Sequence, residues 1–236
     1  MSRRLRTLHV VQARFGSQRL PGKVLAPIAS WPLLQYTVGR AMAAGLGDVL
    51  VATTTSPEDD AVALMAAQLG VAVVRGSESD VLGRFALVAR TYPEVHWIVR
   101  WTADNPFPDI ASAVRLLTSL PPDADYAMEE GLPVGGAVEV MSRRALLEAH
   151  ARAESAYDRE HVTPWIKRGD PSRLVSMPAP TECQAPELRL TVDTLDDLEA
   201  MRRVADVLAG QGWDPRLAPM AEVITCARVA QTENVA

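Results

Sequence analysis

Gln12-Ala13-Arg14-Phe15-Gly16-Ser17-Gln18-Arg19-Leu20-Pro21-Gly22-Lys23 gathers three cations, two glycines and a serine into one stretch. It directly follows Leu8-His9-Val10-Val11, which reads as a buried strand. Glycine lets the backbone come close to a ligand. Arginine can grip two oxyanion oxygens at once. Arg14, Arg19 and Lys23 therefore point to a polyanion, with Gln12, Ala13, Gly16 and Ser17 forming the loop beside it. The first-order reading is a site for a nucleoside triphosphate. Two acids add metal chemistry. Asp104 in Arg100-Trp101-Thr102-Ala103-Asp104-Asn105-Pro106, and Asp193 in Leu190-Thr191-Val192-Asp193-Thr194, each follow a predicted strand. Mg²⁺ takes one or two carboxylates and completes its shell with substrate phosphates. Taken alone, either aspartate would also serve as the cap of a following helix.

The loop is not one of the common phosphate motifs. A P-loop has four residues between its first glycine and Gly-Lys, then Ser or Thr. Here five residues separate Gly16 from Gly22, and Val24 follows Lys23. The dinucleotide fingerprint G-x-G-x-x-G is also absent. Three further groups have two readings each. Arg75, in Arg75-Gly76-Ser77, could neutralise a phosphate or face a base; it could equally pair with Glu78 on the surface. His161, beside Arg159 and Glu160, could act in acid–base chemistry; a hydrogen-bonded structural role is the commoner fate of such a histidine. Asp123-Ala124-Asp125 resembles the D-x-D metal element of glycosyltransferases. Its place after Pro121-Pro122 fits a turn and strand cap better.

Those groups need a scaffold, and the first half of the chain supplies an alternating one. Strands are expected at Leu8–Gln12, Asp48–Thr53, Val71–Val74 and Trp97–Arg100. Helices are expected at Leu33–Ala44, from Ser56 to about Leu69, and at Asp80–Tyr92. Ser56 reads as an N-cap, with Pro57 at the first helical position and acids against the dipole. In the second half, helices are expected at Asp109–Leu120, Ser142–Ala153, Arg159–Arg168 and Thr194–Leu208. Short strands are expected at Ala124–Met128, Ala137–Val140 and Arg189–Val192. Such alternation predicts an α/β fold of three layers, with helices on both faces of a mostly parallel sheet. The open sheet would place ligands at its strand ends. A single domain over residues 1–236 is expected, with 129–181 as an acceptor-side or dimerisation lobe and a frayed tail after Thr232.

Bulk properties narrow the class. A net charge of −5 argues against extended nucleic-acid binding, which needs a broad basic footprint. The basic loop is local focusing on an acidic protein. Cys183 and Cys226 lie far apart without metal-like spacing, which favours reduced thiols in a cytoplasm. The basic start lacks the long apolar run of a signal peptide, and no window suits a membrane-spanning helix.

Several motifs, in this order, resemble the cytidylyltransferases of spore-coat-polysaccharide type, relatives of the CMP-sialate and CMP-KDO synthetases. They are Gln12–Leu25, Ala52–Asp60, Arg75–Leu82, Arg100–Pro106, Val138–Ser142, Tyr157–Ile166 and Leu188–Leu198. The resemblance implies a nucleotide-diphosphosugar-transferase-like fold and a homodimer. It implies Mg²⁺-dependent transfer of CMP from CTP to a small anionic acceptor, with release of pyrophosphate. Carried over by residue, Arg14, Ser17, Arg19 and Lys23 would hold the triphosphate. Arg75 and Thr102 would lie near the nucleotide, and Asp104 and Asp193 would hold Mg²⁺. Glu139 and the Tyr157–Pro164 stretch, with Arg159 and His161, would face the acceptor or the dimer contact. The chain departs from the pattern at Ala103, Asn105 and Gly135-Gly136-Ala137, which leaves the acceptor open between a sugar acid and a phosphonate. Transfer from another nucleoside triphosphate, sugar transfer through Asp123 and Asp125, and a silent nucleotide-binding subunit are the competing readings.

Overall fold

The computed structural model describes residues 6–232; the tail expected to fray lies outside them. The chain opens with β1 (Arg6–Gln12), the hairpin β2 (Pro27–Ile28) and β3 (Trp31–Pro32), and α1 (Leu33–Ala44). It continues through β4 (Asp48–Thr54), α2 (Asp60–Gln68), β5 (Ala72–Gly76), α3 (Val81–Thr91), β6 (Val95–Thr102) and α4 (Ile110–Ser119). Then come β7 (Tyr126–Glu130), β8 (Glu139–Ser142), α5 (Arg143–Arg152), α6 (Ala156–His161), α7 (Pro164–Lys167) and β9 (Leu174–Pro178). The long helices α8 (Leu195–Gly210) and α9 (Met220–Thr232) close it.

Seven strands form one sheet in the order β5-β4-β1-β6-β8-β7-β9. β1, β4, β5 and β6 pair in parallel, while β8 runs antiparallel to both β6 and β7. Side chains of a strand alternate between faces, and here each face is dry. Val10, Leu50 and Ile98 pack with Phe85 of α3 and Leu146 of α5. Val11, Val51 and Val99 pack with Leu34 and Val38 of α1 and Leu116 of α4. This is the mostly parallel, three-layer arrangement expected. A further core joins α8 and α9 to Tyr36, Phe107, Leu190 and Val192. No helix among the described residues is long and apolar enough to cross a membrane.

The structure corrects several local expectations. Arg189–Val192 is not a strand: its ladder is a single bridge between Val134 and Arg189. Leu190 and Val192 turn into the α8–α9 core instead of the sheet. The helix expected over Arg159–Arg168 is two short helices, because Pro164 cannot continue the first and Val162 takes a positive φ of 69°. Helix α2 is preceded by a 3-10 turn, Pro57–Asp59, and Ser56 makes no side-chain cap bond. The strand expected over Ala137–Val140 is β8, beginning at Glu139. β9 and α9 were not expected at all.

Arg40 ties the last core to the rest. It is fully buried in α1 and donates to the carbonyls of Pro108, Arg216 and Ala218 at 2.7, 3.1 and 2.8 Å. Replacing it strands buried acceptors. Arg40→Met should lower stability by about 3 kcal/mol, read by urea unfolding; a loss under about 1 kcal/mol would contradict this anchoring role.

Candidate active site

A cavity of about 740 Å³ opens at the carboxyl ends of β1 and β6. The chain steps from β1 outward to β4 and β5, then returns to β6 on the other side. That reversal of strand order is where open α/β sheets hold ligands. Gln12, Ala13, Arg14, Ser17, Arg19 and Lys23 all line the cavity, and Gly16 does not. The loop is closed on itself by the Phe15 carbonyl, which accepts from the amides of Ser17 and Gly22, both at 2.8 Å. Gly22 has φ 74°, and a Cβ there would stand 2.9 Å from the Phe15 ring. Only glycine satisfies both demands. The loop is moored from below by buried Asp59, whose carboxylate accepts from the Phe15 amide at 2.6 Å and from the Thr54 hydroxyl.

Lys23 is itself buried, and its ammonium makes three bonds. Nζ donates to Val192 O at 2.6 Å, Asp193 Oδ1 at 3.0 Å and Asp104 Oδ2 at 3.3 Å. The two acids are brought together by a backbone bond from Val192 N–H to Asp104 O, 2.8 Å. Asp193 does not cap α8. Thr194 does so in a capping box with Asp197, so the Asp193 carboxylate is not spent on the helix end. Arg19 and Arg189 pair with it at 2.9 and 2.6 Å. Burial pushes the Asp193 pKa up, but the Lys23 bond and charge, then Arg189 and Arg19, outweigh it and the net shift is downward. The Asp104 and Asp193 carboxylates thus converge on the Lys23 ammonium beside a cationic loop. Their hard oxygens are donors of the kind Mg²⁺ takes with phosphate oxygens. No cluster of three or more His, Cys, Asp or Glu ligands exists among the described residues, so phosphates and water would complete such a shell.

The opposite wall is organised by Glu139, which does not line the cavity. β8 runs antiparallel to β6, and this sets Glu139 opposite Arg100. The Glu139 carboxylate pairs with Arg100, accepts from Tyr126 Oη at 2.6 Å and Thr163 Oγ1 at 2.9 Å, and pairs with Lys167 Nζ at 2.7 Å. Arg100 lines the cavity and donates to Gln12 Oε1 at 2.9 Å. Burial pushes the Glu139 pKa up, yet Arg100 and then Lys167 bring it down to about 2. Glu160 and His161, at the end of α6, face the cavity. The Thr163 amide then bonds back to His161 O at 2.8 Å across Val162, with φ 69° and ψ −55°. That is a strained γ-turn on a β-branched residue.

The remaining sequence candidates fall as follows. Thr102 lines the cavity and accepts from Asn105 Nδ2 at 2.6 Å. Arg75 does not line it: it donates to Thr54 O and Ser56 O and pairs with Asp60 at 2.6 Å, not with Glu78. Arg159 pairs with Asp80 and bonds His150 O. Asp125 does not line the cavity: it accepts from Ser142 and pairs with Arg144, as a turn residue does. Sequence reasoning missed Asp59, Arg100, Glu160 and Arg84. Arg84 carried a legible signal, since it shares the apolar face of α3 with Val81, Phe85 and Val88.

Known proteins are similar to this chain in sequence and in fold. The family model described as cytidylyltransferase matches residues 8–211. The spore coat polysaccharide biosynthesis protein SpsF of Bacillus subtilis (strain 168) is 35% identical over 207 residues, covering 83% of this chain and 84% of that one. A cytidylyltransferase from Leptospira borgpetersenii serovar Hardjo-bovis superposes with a TM-score of 0.81 at 24% identity, over 98% of this chain and 96% of that one. A CMP-2-keto-3-deoxy-manno-octonic acid synthetase solved with CTP superposes with a TM-score of 0.62 at 19% identity, over 87% and 99%.

The Glu139 network should be visible in the pH dependence of stability. Its folded-state pKa of about 2 lies below the ordinary 4.5. The network therefore stabilises the fold above about pH 4.5 and loses that contribution as pH falls toward about 2. Glu139→Gln should cost about 3 kcal/mol at pH 7 and flatten the acid limb of a urea-unfolding series. An unchanged acid limb would remove Glu139 from this role.

Proposed function

The chain belongs to the cytidylyltransferase family, and from that premise we propose that it transfers CMP from CTP to a small anionic acceptor and releases pyrophosphate. A sugar acid is the acceptor the family resemblance favours, with a phosphonate next. The observation that carries the reading is the meeting of Asp104 and Asp193 on Lys23 Nζ, beside Arg14 and Arg19.

An acceptor oxygen attacks the α-phosphorus in line. The new P–O bond forms as the bond from that phosphorus to the bridging oxygen breaks, and pyrophosphate departs. The protein's work is positioning and charge neutralisation. Arg14, Arg19 and Lys23 would hold the triphosphate and stabilise charge on the departing group. Asp104 and Asp193 would hold Mg²⁺, which when bound supplies Lewis-acid neutralisation of phosphate charge. Gln12, Ala13 and Thr102, at adjoining strand ends, would meet the nucleotide, and Arg75 would brace that side through the Thr54 and Ser56 carbonyls. The acceptor would enter against Arg100, which Glu139 positions through its ion pair, and against His161, which ends the helix that Arg159 ties to Asp80. The 129–181 segment would also supply the contact of a homodimer.

Pyrophosphate release measured with each of the four nucleoside triphosphates, against a panel of sugar acids and phosphonates, should single out CTP. Equal release from UTP or GTP would change the donor, and release from none would favour a silent binding subunit. Asp104→Asn and Lys23→Ala should each lower kcat by ~10²–10³ with unchanged circular dichroism; near-normal turnover in either would refute that residue's role.

A further inference from the structure

Arg84 is a charged side chain with a job left undone. Only 2% of it is exposed, yet it lines the cavity wall together with Val81. Its Nη1 donates to Ser77 O at 3.1 Å. Its Nε is buried and has no hydrogen-bond partner, and Nη2 makes no hydrogen bond among the described residues. Nε–H and an Nη2–H lie along one edge of the guanidinium, and such an edge matches a carboxylate or phosphate bidentately. No carboxylate of the described residues lies in ion-pair contact with it, although Asp80 is nearby and caps α3 through Gly83 N–H at 2.7 Å. A buried cation left without its hydrogen bonds is costly.

The local sequence is built to accept that cost. Gly76 ends β5, and a Cβ there would stand 2.9 Å from Arg84 Cγ, so the missing side chain is the channel through which Arg84 passes. The Asp80 cap fixes the first turn of α3 and with it the direction of Arg84. Burial, and next the like charge of Arg14, lower the Arg84 pKa. Of the loop cations, Arg19 and Lys23 are paired with Asp193, while Arg14 has no acid partner among the described residues. Two guanidiniums therefore face one cavity with no carboxylate of the described residues in ion-pair contact with either, although Asp59, Asp80 and Glu78 lie close enough to act on the Arg84 charge.

We propose that Arg84, with Arg14, forms an oxyanion subsite in which the free Nε/Nη2 edge of Arg84 grips an anionic group of a substrate. The proposal rests on the transfer reading for its ligands and adds a binding residue to it. The shared chemistry is a phosphoryl or carboxylate oxyanion. Arg14 lies in the phosphate loop, so the outer phosphates of the nucleotide are the expected source; the acceptor's own acid group is the other.

The test follows the Arg84 Nε–H resonance of the full chain by ¹H–¹⁵N NMR, assigned by its loss in Arg84→Lys. The probes, in saturating Mg²⁺, are CTP, inorganic pyrophosphate, CMP, 3-deoxy-manno-octulosonate and phosphonoacetate. The resonance should move saturably with CTP and pyrophosphate and not with CMP, and Arg84→Met should weaken both by at least tenfold in calorimetry while CMP binds as before. Movement with the two acids alone would support the subsite and assign it to the acceptor. No movement with any probe, together with wild-type affinities in Arg84→Met, would overturn the proposal and leave Arg84 structural. Should Arg84→Met fail to fold, the wild-type resonance decides, supported by Gly76→Ala, which displaces Arg84 without removing its charge. Pyrophosphate that binds at Arg84 in a protein that turns over no nucleotide would defeat the transfer reading and not this one.

Discussion

One ammonium group holds the site together. A buried lysine is tolerated only when its charge and its three N–H donors are met. Lys23 meets them with Val192 O, Asp193 and Asp104, groups 169, 170 and 81 residues away. The sheet brings the first pair of segments together, because β1 and β6 run parallel and end side by side at Gln12 and Thr102. The third arrives through the Val192–Asp104 backbone bond. Asp193 then carries three cationic neighbours, which keep it charged against the pull of its burial. The result is a fixed point where negative charge converges, walled by a loop where positive charge converges. Among these charged groups Lys23 alone is buried, and it is the one that depends on the others for its hydrogen bonds.

How much of this the sequence carried depends on whether the signal was local. The strand-then-loop of residues 8–23 was legible because glycine, proline and cations mark a loop in the chain itself. The parallel half of the sheet was legible because apolar runs alternated with helical ones. Asp193 was ambiguous in sequence, since an acid before Thr194 suits a cap; the ambiguity ends only once Thr194 and Asp197 are seen to cap each other. Asp59 looked like an acid placed against a helix dipole. Its use as the mooring of the Phe15 amide depends on a contact 44 residues away, which no periodicity reveals. Arg189–Val192 had the alternation of a strand, but its apolar residues answer to α8 and α9, and pattern alone cannot name the partner.

The two ends of the cavity are held by different logic. The loop and both acids sit at ends of parallel strands or are bonded to them, so the core of the sheet fixes them. On the facing wall Arg100 stands on the same parallel β6, but its partner Glu139 comes from antiparallel β8, and His161 depends on the turn at Val162. A continuous helix through that turn is closed off, because the Pro164 ring would meet the carbonyl of Glu160. The strained alternative costs about 1–3 kcal/mol, and full burial of Val162 together with the Thr163–Glu139 bond offsets it. The turn lets α6 end with Glu160 and His161 at the cavity while the next residues reach back to Glu139. Its side chains can therefore be exchanged without touching the strand ends that hold Lys23, Asp104 and Asp193. Departures from the family pattern at Gly135 and Asn105 fall on the rim between these ends, where a Cβ at position 135 would stand 2.8 Å from Leu190 O and 3.0 Å from Asn105 Oδ1. A chain built this way can keep the Lys23, Asp104 and Asp193 cluster fixed while the side chains at the Val162 turn are exchanged.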